Sequence, residues 1–293
     1  MRITIVILSI CALVLLTGCI GFESLVSKCI IAESKLEYYA KRCPQDTILI
    51  YGDIEKLKEV GLSSLEDVDG ELDIIPGLSI LKNKDFQKDS IKRNFGLRKI
   101  KEVVIVSPYN NLDSGYFIFA GKFKLNKEKE KLKEYGFSEV DRYDGFSIYK
   151  GFSPGFFAIS DDKKYIIVHP SGYYSPKYII KYFSGKRVEN SLYTQYKEII
   201  HKLPSNAAWY ALMEPAYLIP YINTDIEKIG IAILVDDKKI EYITVYEFED
   251  EKYAKEFVED ELEDYKEDYE DIYEKFDFRR EGRYVIVNIV EEL

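Results

Sequence analysis

Two stretches of the sequence share one pattern, and that pattern decides the fold. Residues 43–53 read Cys-Pro-Gln-Asp-Thr-Ile-Leu-Ile-Tyr-Gly-Asp, and residues 203–214 read Leu-Pro-Ser-Asn-Ala-Ala-Trp-Tyr-Ala-Leu-Met-Glu. Each has a proline, a polar pair, a short apolar strand that ends in an acidic residue, and then a predicted helix. Such internal repetition indicates that the chain holds two copies of one design.

The second copy, residues 191–293, has the clearer pattern. Strands are predicted at 207–213, 229–235, 239–248, 276–280 and 284–290. A short helix is predicted at 215–222, where Pro215 occupies an early position that does not need its missing N–H. A long helix is predicted from residue 250 to about 275. The resulting order is β-α-β-β-α-β, which is the ferredoxin-like pattern.

The first copy, residues 44–190, repeats this order with an insertion at 62–99. Hairpins are predicted at 100–125, at 138–149 around Asp144-Gly145, and at 156–168, and helices at 126–135 and from Ser175-Pro176 to about residue 183. We therefore predict an α+β fold of two ferredoxin-like repeats, each with an antiparallel sheet covered by helices on one face.

The N-terminal segment predicts the location of the protein. Arg2 precedes an apolar run at 3–16, and the run ends in Leu16, Thr17, Gly18 and Cys19. This end resembles the lipobox of prokaryotic lipoproteins, in which small residues precede a cysteine whose thiol is joined to lipid. The resemblance implies lipidation at Cys19, removal of the signal peptide 1–18, and a lipid anchor with a juxtamembrane helix at 19–43.

An uncleaved signal anchor is the alternative. Residues 3–22 carry no charge and approach the length that spans a bilayer. Both interpretations attach the protein to the cell membrane and place its folded domain on the extracytoplasmic face.

Two further cysteines, Cys29 and Cys43, flank a predicted helix at 23–42. Fourteen residues of helix span about 21 Å, whereas a disulfide allows roughly 4.4–6.8 Å between Cα atoms. The two cysteines therefore cannot pair unless the helix breaks between them. Inert buried thiols are favoured, and intermolecular pairing is the alternative. No metal site is predicted, because His169 and His201 do not lie at ligand spacing from a cysteine.

Composition excludes one class of partner. The chain has a net charge of −10 and a pI near 5.0, so it repels nucleic acid, whose binding rests on Lys and Arg contacts. Methionine occurs only at Met1 and Met213, and glutamine is similarly sparse beside abundant Glu and Lys. This balance is typical of proteins from thermophilic prokaryotes, including archaea.

One acidic segment is a weak candidate for a calcium loop. Carboxylates alternate around Gly70, as they do where they converge on a hard cation: Asp67, Asp69, Glu71 and Asp73. Leu65 stands where such a loop begins with Asp, and Pro76 where it closes with Glu. A solvated acidic turn is therefore the favoured interpretation, and no cofactor is predicted.

Two aromatic patterns have a structural and a functional interpretation. In the helix at 250–275 a stripe at helical spacing is formed by Tyr253, Phe257, Leu262, Tyr265, Tyr269 and Ile272. A second group consists of Tyr174, Tyr178 and Tyr182 with Phe152, Phe156 and Phe157. Burial in the core is favoured for both, with acidic residues covering the solvent face of the helix. The alternatives are that this acidic face binds a cation or a basic partner protein, and that the second group is an aromatic platform for sugars or peptides.

No nucleophile or zinc-protease motif accompanies the two histidines. The sequence therefore favours a non-catalytic, lipid-anchored surface protein that binds an envelope protein or a small ligand. A surface hydrolase with paired carboxylates is one alternative. A solute-binding subunit of a transporter is another, although the chain lacks the α/β alternation usual in such proteins.

Overall fold

The computed structural model describes residues 33–59, 100–108, 114–123, 130, 133, 134, 136–151, 155–169, 174–185, 188–215, 225–236, 238–269 and 273–292. Almost all of them belong to the compact unit Lys35–Leu293. The lipobox, Cys29 and the calcium-loop candidate lie outside the described residues.

The strands of the described residues form one 12-stranded sheet in which every neighbouring pair is antiparallel. In chain order they are β1 Thr47–Asp53, β2 Ile100–Pro108, β3 Tyr116–Gly121, β4 Ser138–Tyr143, β5 Phe146–Lys150, β6 Phe156–Ser160, β7 Tyr165–His169, β8 Trp209–Met213, β9 Ile226–Val235, β10 Lys239–Phe248, β11 Lys275–Glu281 and β12 Tyr284–Glu292. The order across the sheet is β11-β12-β10-β9-β8-β1-β2-β3-β7-β6-β5-β4.

The helices are short. In chain order they are α1 Lys35–Ala40, α2 Ile54–Glu59, α3 Pro176–Phe183, α4 Leu192–Lys202, α5 Glu251–Glu256 and α6 Glu263–Tyr269. A π-helical turn, Phe257–Leu262, joins α5 to α6, and a 3₁₀ turn, Val188–Asn190, precedes α4.

The sheet order divides the molecule into two similar halves, one running from β1 to β7 and the other from β8 to β12. In each half the first three strands (β1 to β3, and β8 to β10) follow one another outward from the centre of the sheet. The next strand, β4 or β11, lies at the outer edge, and the strands after it fill the space back to β3 or β10. The halves join where β1 pairs with β8, for example Leu49 with Leu212 and Tyr51 with Tyr210. The two quoted stretches therefore lie side by side at the centre of a single sheet.

The α+β class and the antiparallel sheet are confirmed, but the ferredoxin-like order and two separate sheets are not observed. In the split β-α-β arrangement a helical crossover places strands in parallel. Here β2 pairs directly with β1, and β9 with β8, in antiparallel register. Central pairing of β1 with β8 then removes the inner edge of each half, which would otherwise be an unpaired row of backbone groups.

Helices cover both faces of the sheet, not one face as predicted. The face that we call the α4 face packs against α1, α3 and α4 and includes Leu49, Val104 and Leu212. The opposite face, the α5 face, packs against α5 and the π-helical turn and includes Ile50 and Phe248. Central strands are buried on both sides, which explains why β1, β3 and β8 are almost continuously apolar.

One glycine allows α4 to lie close to the sheet. A Cβ atom on Gly230 would overlap with the Cγ2 methyl of Ile199 and would lie 3.1 Å from Leu203 Cδ1. Glycine in a strand interior is otherwise unfavourable, so its presence on β9 indicates close approach of the helix.

Local signals placed most elements correctly. The turn Asp144-Gly145 has positive φ at both residues, 49° and 77°, as a tight hairpin requires. Ser175 caps α3, because its side chain accepts a hydrogen bond from the Tyr178 N–H. The predicted helices at 126–135 and 215–222 and the insertion 62–99 fall wholly or largely outside the described residues.

The predicted α-helix at 250–275 is interrupted by the π-helical turn, and this changes which side chains are buried. Phe257 and Leu262, five residues apart, both face the core because a π turn accommodates one extra residue. After this shift Tyr265 is 52% exposed, so its predicted place in the buried stripe is wrong. Lys266 instead lies over the Phe278 ring, 5.8 Å from its centroid.

Candidate functional site

A buried carboxylate organises one end of the α4 face. Glu247 lies near the end of β10 with 4% of its side chain exposed, and Lys228 Nζ on β9 donates to its Oε2 at 3.0 Å. Arg283, in the turn between β11 and β12, donates to Oε1, and the hydroxyl of Tyr284 lies 3.4 Å from the same atom. We call these four residues the Glu247 cluster; it ties three strands together.

The alternation of side chains along β9 and β10 places the Glu247 cluster on the α4 face of the sheet. Glu247 follows Ile243 and Val245 at alternate positions of β10, and both of these pack on the α4 face. Lys228 likewise shares a face with Gly230 and Ala232 of β9. Sequence reasoning missed the cluster, although a charged residue at an inward position of an apolar strand was a usable signal.

A second polar cluster lies at the opposite end of the same face. Glu102 at the start of β2 accepts hydrogen bonds from Lys35 Nζ at 2.6 Å and from the Tyr39 hydroxyl at 2.7 Å. Beside it the hydroxyls of Tyr38 and Tyr165 are 3.2 Å apart. We call these five residues the Glu102 cluster; it fastens α1 to the sheet.

The two clusters occupy equivalent positions in the two halves. Glu102 of β2 lies opposite Asp53, the last residue of β1. In the second half Met213 lies opposite Ile229, so the next position of the same register places Glu214 opposite Lys228. Tyr165 is the first residue of β7, which pairs with β3, and Tyr284 is the first residue of β12, which pairs with β10. Burial first, and then the neighbouring carboxylates, raise the pKa of Tyr39 in one cluster and of Tyr284 in the other.

Two carboxyl groups, those of Asp46 and Glu214, interact electrostatically where the halves join. Burial, and then the charge of Asp46, raise the pKa of Glu214 above its ordinary value, while Lys228 acts in the opposite direction. Asp46 has a φ of 56°, and its N–H donates to Gln195 Oε1 on α4 at 3.1 Å. Among the described residues this is the pair that most resembles an acid with a raised pKa beside a second, exposed carboxylate.

His169 is a buried structural residue. Its Nδ1 lies 3.1 Å from the Gly115 carbonyl, and its Nε2 accepts a hydrogen bond from the Tyr174 N–H at 2.8 Å. The ring is therefore neutral with Nδ1 protonated, and burial lowers its pKa. Both nitrogens are occupied by backbone groups, so neither offers a ligand position. His201 is exposed and lies 3.4 Å from the Tyr193 hydroxyl.

Cys43 is a free thiol that is completely buried in the core of the α4 face. Burial raises the pKa of this thiol, so the nucleophilic thiolate is disfavoured. This agrees with the expectation of an inert thiol.

The core burial favoured for the second aromatic group is confirmed for Tyr182, Phe156 and Phe157, each at most 8% exposed. The alternative, an aromatic platform, is only partly assembled. Tyr174 and Tyr178 stack with centroids 5.3 Å apart, and Tyr182 lies 5.1 Å from Tyr178. However, Phe156 packs on the α4 face and Phe157 on the α5 face, because neighbouring residues of a strand point to opposite sides. The two phenylalanines therefore cannot form one surface with the tyrosines.

The described residues hold no group of three or more His, Cys, Asp or Glu side chains arranged for a metal ion. Among the helices in the described ranges, none combines the length and the apolar character that a membrane crossing requires.

Comparison with known proteins gives a distant relative. The sequence is 27% identical over 184 residues to the uncharacterised protein MJ0635 of Methanocaldococcus jannaschii; the match spans 60% of this chain and 63% of the relative. The chain thus covers less than two thirds of the relative's length. No protein-family model matches the sequence.

The fold also has solved counterparts. Crystal forms I and III of TP0453 superimpose with TM-scores of 0.53 and 0.51 over 86% of this chain and 92–93% of that protein. Sequence identity is 9%, so the likeness concerns the fold alone.

Proposed function

We propose that the protein is a lipid-anchored, extracytoplasmic lipoprotein whose domain is a non-catalytic binding module. The observation that carries the proposal is the apolar N-terminal run ending in Leu16-Thr17-Gly18-Cys19. The thiol of Cys19 receives the lipid, and a diacyl-type anchor holds the protein stably at the membrane.

The geometry of the domain supports a binding role over catalysis. Glu102 and Glu247 are engaged by cations and tyrosine hydroxyls, and the nitrogens of His169 are occupied by backbone groups. These groups stabilise the sheet and its helices, so a reacting atom would have to displace them. The expected partner is an envelope protein or a small ligand.

We also infer that the two halves descend from one duplicated unit. The support is the shared order of strands around the β1–β8 pair, the Pro that precedes each central strand, and the tyrosine that opens each returning strand.

The anchor is tested by the intact mass of the protein extracted from membranes, compared with a Cys19→Ala variant. A mass that lacks residues 1–18 and gains lipid is expected, and the variant should lose both changes. Cys11→Ala is the matched control: it also removes a thiol from the N-terminal region but lies before the cleavage point, so it should leave the mature mass unchanged. An unprocessed mass in all three proteins would contradict the lipid anchor.

A surface hydrolase is the second candidate, and Asp46 with Glu214 is the observation that favours it. A general acid needs a raised pKa, as Glu214 has, and glycoside hydrolases place a second carboxyl roughly 5–9.5 Å away. Glycoside hydrolysis lost in Glu214→Gln would support this candidate; no hydrolysis by the intact protein would exclude it. The antiparallel sheet gives no support to a transporter's solute-binding subunit.

A further inference from the structure

The two outer strands of the sheet, β11 and β4, differ in regularity. β11 pairs with β12 in unbroken register from Lys275 to Glu281, and no strand of the described chain covers its other side. β4 carries a β-bulge, a register shift between Glu139 and Asp141 against β5. Bulges protect sheet edges, and a regular edge is a template for another strand.

The charges of β11 form an alternating row. On the α4 face they are Lys275, Asp277, Arg279 and Glu281, with 43–64% of each side chain exposed. Neighbours along the strand already pair, Lys275 with Asp277 at 2.8 Å and Arg279 with Glu281 at 3.0 Å. The four charges of β11 itself sum to zero, and Lys202 of α4 adds one cation where it binds Glu281 at 2.5 Å.

This row complements itself when reversed. Antiparallel pairing of β11 with a second β11, centred on Phe278, sets Lys275 opposite Glu281 and Asp277 opposite Arg279. All four cross-strand pairs are then of opposite sign. On the other face Phe278 meets its own copy, and Phe276 meets Arg280; aromatic pairs and cation–π pairs both stabilise neighbouring strands.

The backbone of β11 is oriented for this pairing. Glu281 and Tyr284 flank the tight turn at Gly282, whose φ is 62°, and such flanking residues exchange hydrogen bonds with each other. Alternate residues of β11 bond to β12, so the N–H and C=O groups of Phe276, Phe278 and Arg280 point away from it. These groups would bond to the second strand.

The bulged strand β4 lacks this arrangement. Its Arg142 is bound to Glu139 at 2.6 Å, and Lys177 reaches over from α3 to Asp141 at 2.8 Å. A helix side chain also reaches β11, where Lys202 of α4 donates to Glu281 at 2.5 Å. The two edges therefore differ in the bulge of β4 and the unbroken register of β11, and not in such contacts.

From these observations we propose that β11 pairs with β11 of a second copy of this chain, so that two sheets continue into one across a twofold axis at Phe278. The interface is small, so a reversible dimer is expected, in equilibrium with the monomer.

The test exchanges charges on the intact, detergent-extracted protein and measures the dimer fraction by sedimentation velocity and native mass spectrometry. Asp277→Arg places arginine opposite Arg279 at two symmetric positions, and Arg279→Asp places aspartate opposite Asp277. Each should weaken dimerisation by about tenfold or more, because two attractive pairs become repulsive. The double variant Asp277→Arg with Arg279→Asp restores opposite signs and should restore the dimer.

The matched control is Glu139→Arg on β4, which changes charge equally at the other edge and should leave the dimer fraction unchanged. Arg280→Pro is an independent variant: it removes an outward N–H but no bond to β12, so the fold should persist while the dimer is lost. A wild-type protein that stays monomeric at about 100 µM, or a dimer insensitive to both single charge changes, would overturn the proposal.

Discussion

The Glu102 and Glu247 clusters both neutralise a carboxylate at equivalent positions of the two halves, but they use different residues. Each lies on the α4 face at a strand end near a helix, and each includes the tyrosine that opens the returning strand. In the first half the carboxylate, Glu102, comes from β2. In the second half the equivalent position holds a cation, Lys228, and the carboxylate comes from the neighbouring strand as Glu247. Both halves therefore hold a neutralised polar contact at this position, with the charges carried by different residues.

The clusters also differ in depth. Glu247 has 4% of its side chain exposed and Glu102 has 15%, while its partner Lys35 is 56% exposed. An ion pair deep in the protein leaves a costly charge when it is broken, whereas an exposed pair contributes little. The second half should therefore depend more strongly on its cluster, and on the close packing of α4, than the first half depends on α1.

The largest effect is expected from Gly230→Ala. The added Cβ overlaps with Ile199, so α4 must move away from β9, at a cost of about 3 kcal/mol in the free energy of unfolding. Val104→Ala, at the corresponding position of β2, is the comparison and should cost about 1–2 kcal/mol through lost packing. Urea denaturation measures both. A cost of Gly230→Ala no larger than that of Val104→Ala would contradict the close approach of α4 to β9.

Removal of each carboxylate should reveal their different depths. Glu247→Ala leaves Lys228 and Arg283 without their shared partner and should cost about 3 kcal/mol. Glu102→Ala should cost about 1 kcal/mol, because Lys35 is largely solvated. The free energy of unfolding at pH 7 is the measurement. A larger loss in Glu102→Ala would reverse the comparison.

A hydroxyl at the junction of the halves should give a smaller effect. Tyr210 donates to the Pro204 carbonyl at 2.6 Å and accepts from the buried Ala207 N–H at 2.9 Å. Tyr210→Phe leaves both groups without this partner and should cost about 1–2 kcal/mol.

The same side chain predicts a pH dependence. Burial raises the pKa of Tyr210 from 10.0 to about 12. Because the folded pKa is higher, the stabilisation is complete below about pH 10 and is lost as the pH rises toward 12. The fall in stability across this interval should be shallower in Tyr210→Phe, and an identical pH profile would contradict the assignment.

The smallest effect is expected at Glu214. Its pKa is raised by burial and by Asp46, so its contribution favours the folded state at low pH and is lost as the pH rises through the folded pKa. Glu214→Gln should therefore raise stability at pH 7 by a few tenths of a kcal/mol, as a shift in melting temperature. Glu227→Gln is the control, because Glu227 faces Arg283 at 3.5 Å, and should produce no gain.

Residues close together in the chain allowed most elements to be predicted. Asp144-Gly145 specified its hairpin, Ser175-Pro176 began α3, and the strand predicted from the apolar, β-branched residues of 239–248 has the bounds of β10. The contacts within the candidate sites could not be predicted from the sequence. Glu247 and Lys228 are 19 residues apart, and only the β9–β10 register shows that they meet. The burial of Tyr265 was mispredicted, because one π turn changes the phase of everything after it.

The amino-acid sequence by itself determined the class of fold, the two similar halves, the positions of the hairpins and the prediction of a lipid anchor at Cys19. These depend on turn chemistry, periodicity and short motifs, which act over a few residues. Only the tertiary structure decided the joining of the halves through β1 and β8, the covering of both faces by helices, and the contact of Lys228 with Glu247. Those features depend on pairing between strands that are far apart in the chain, and such pairing is defined only in the assembled sheet.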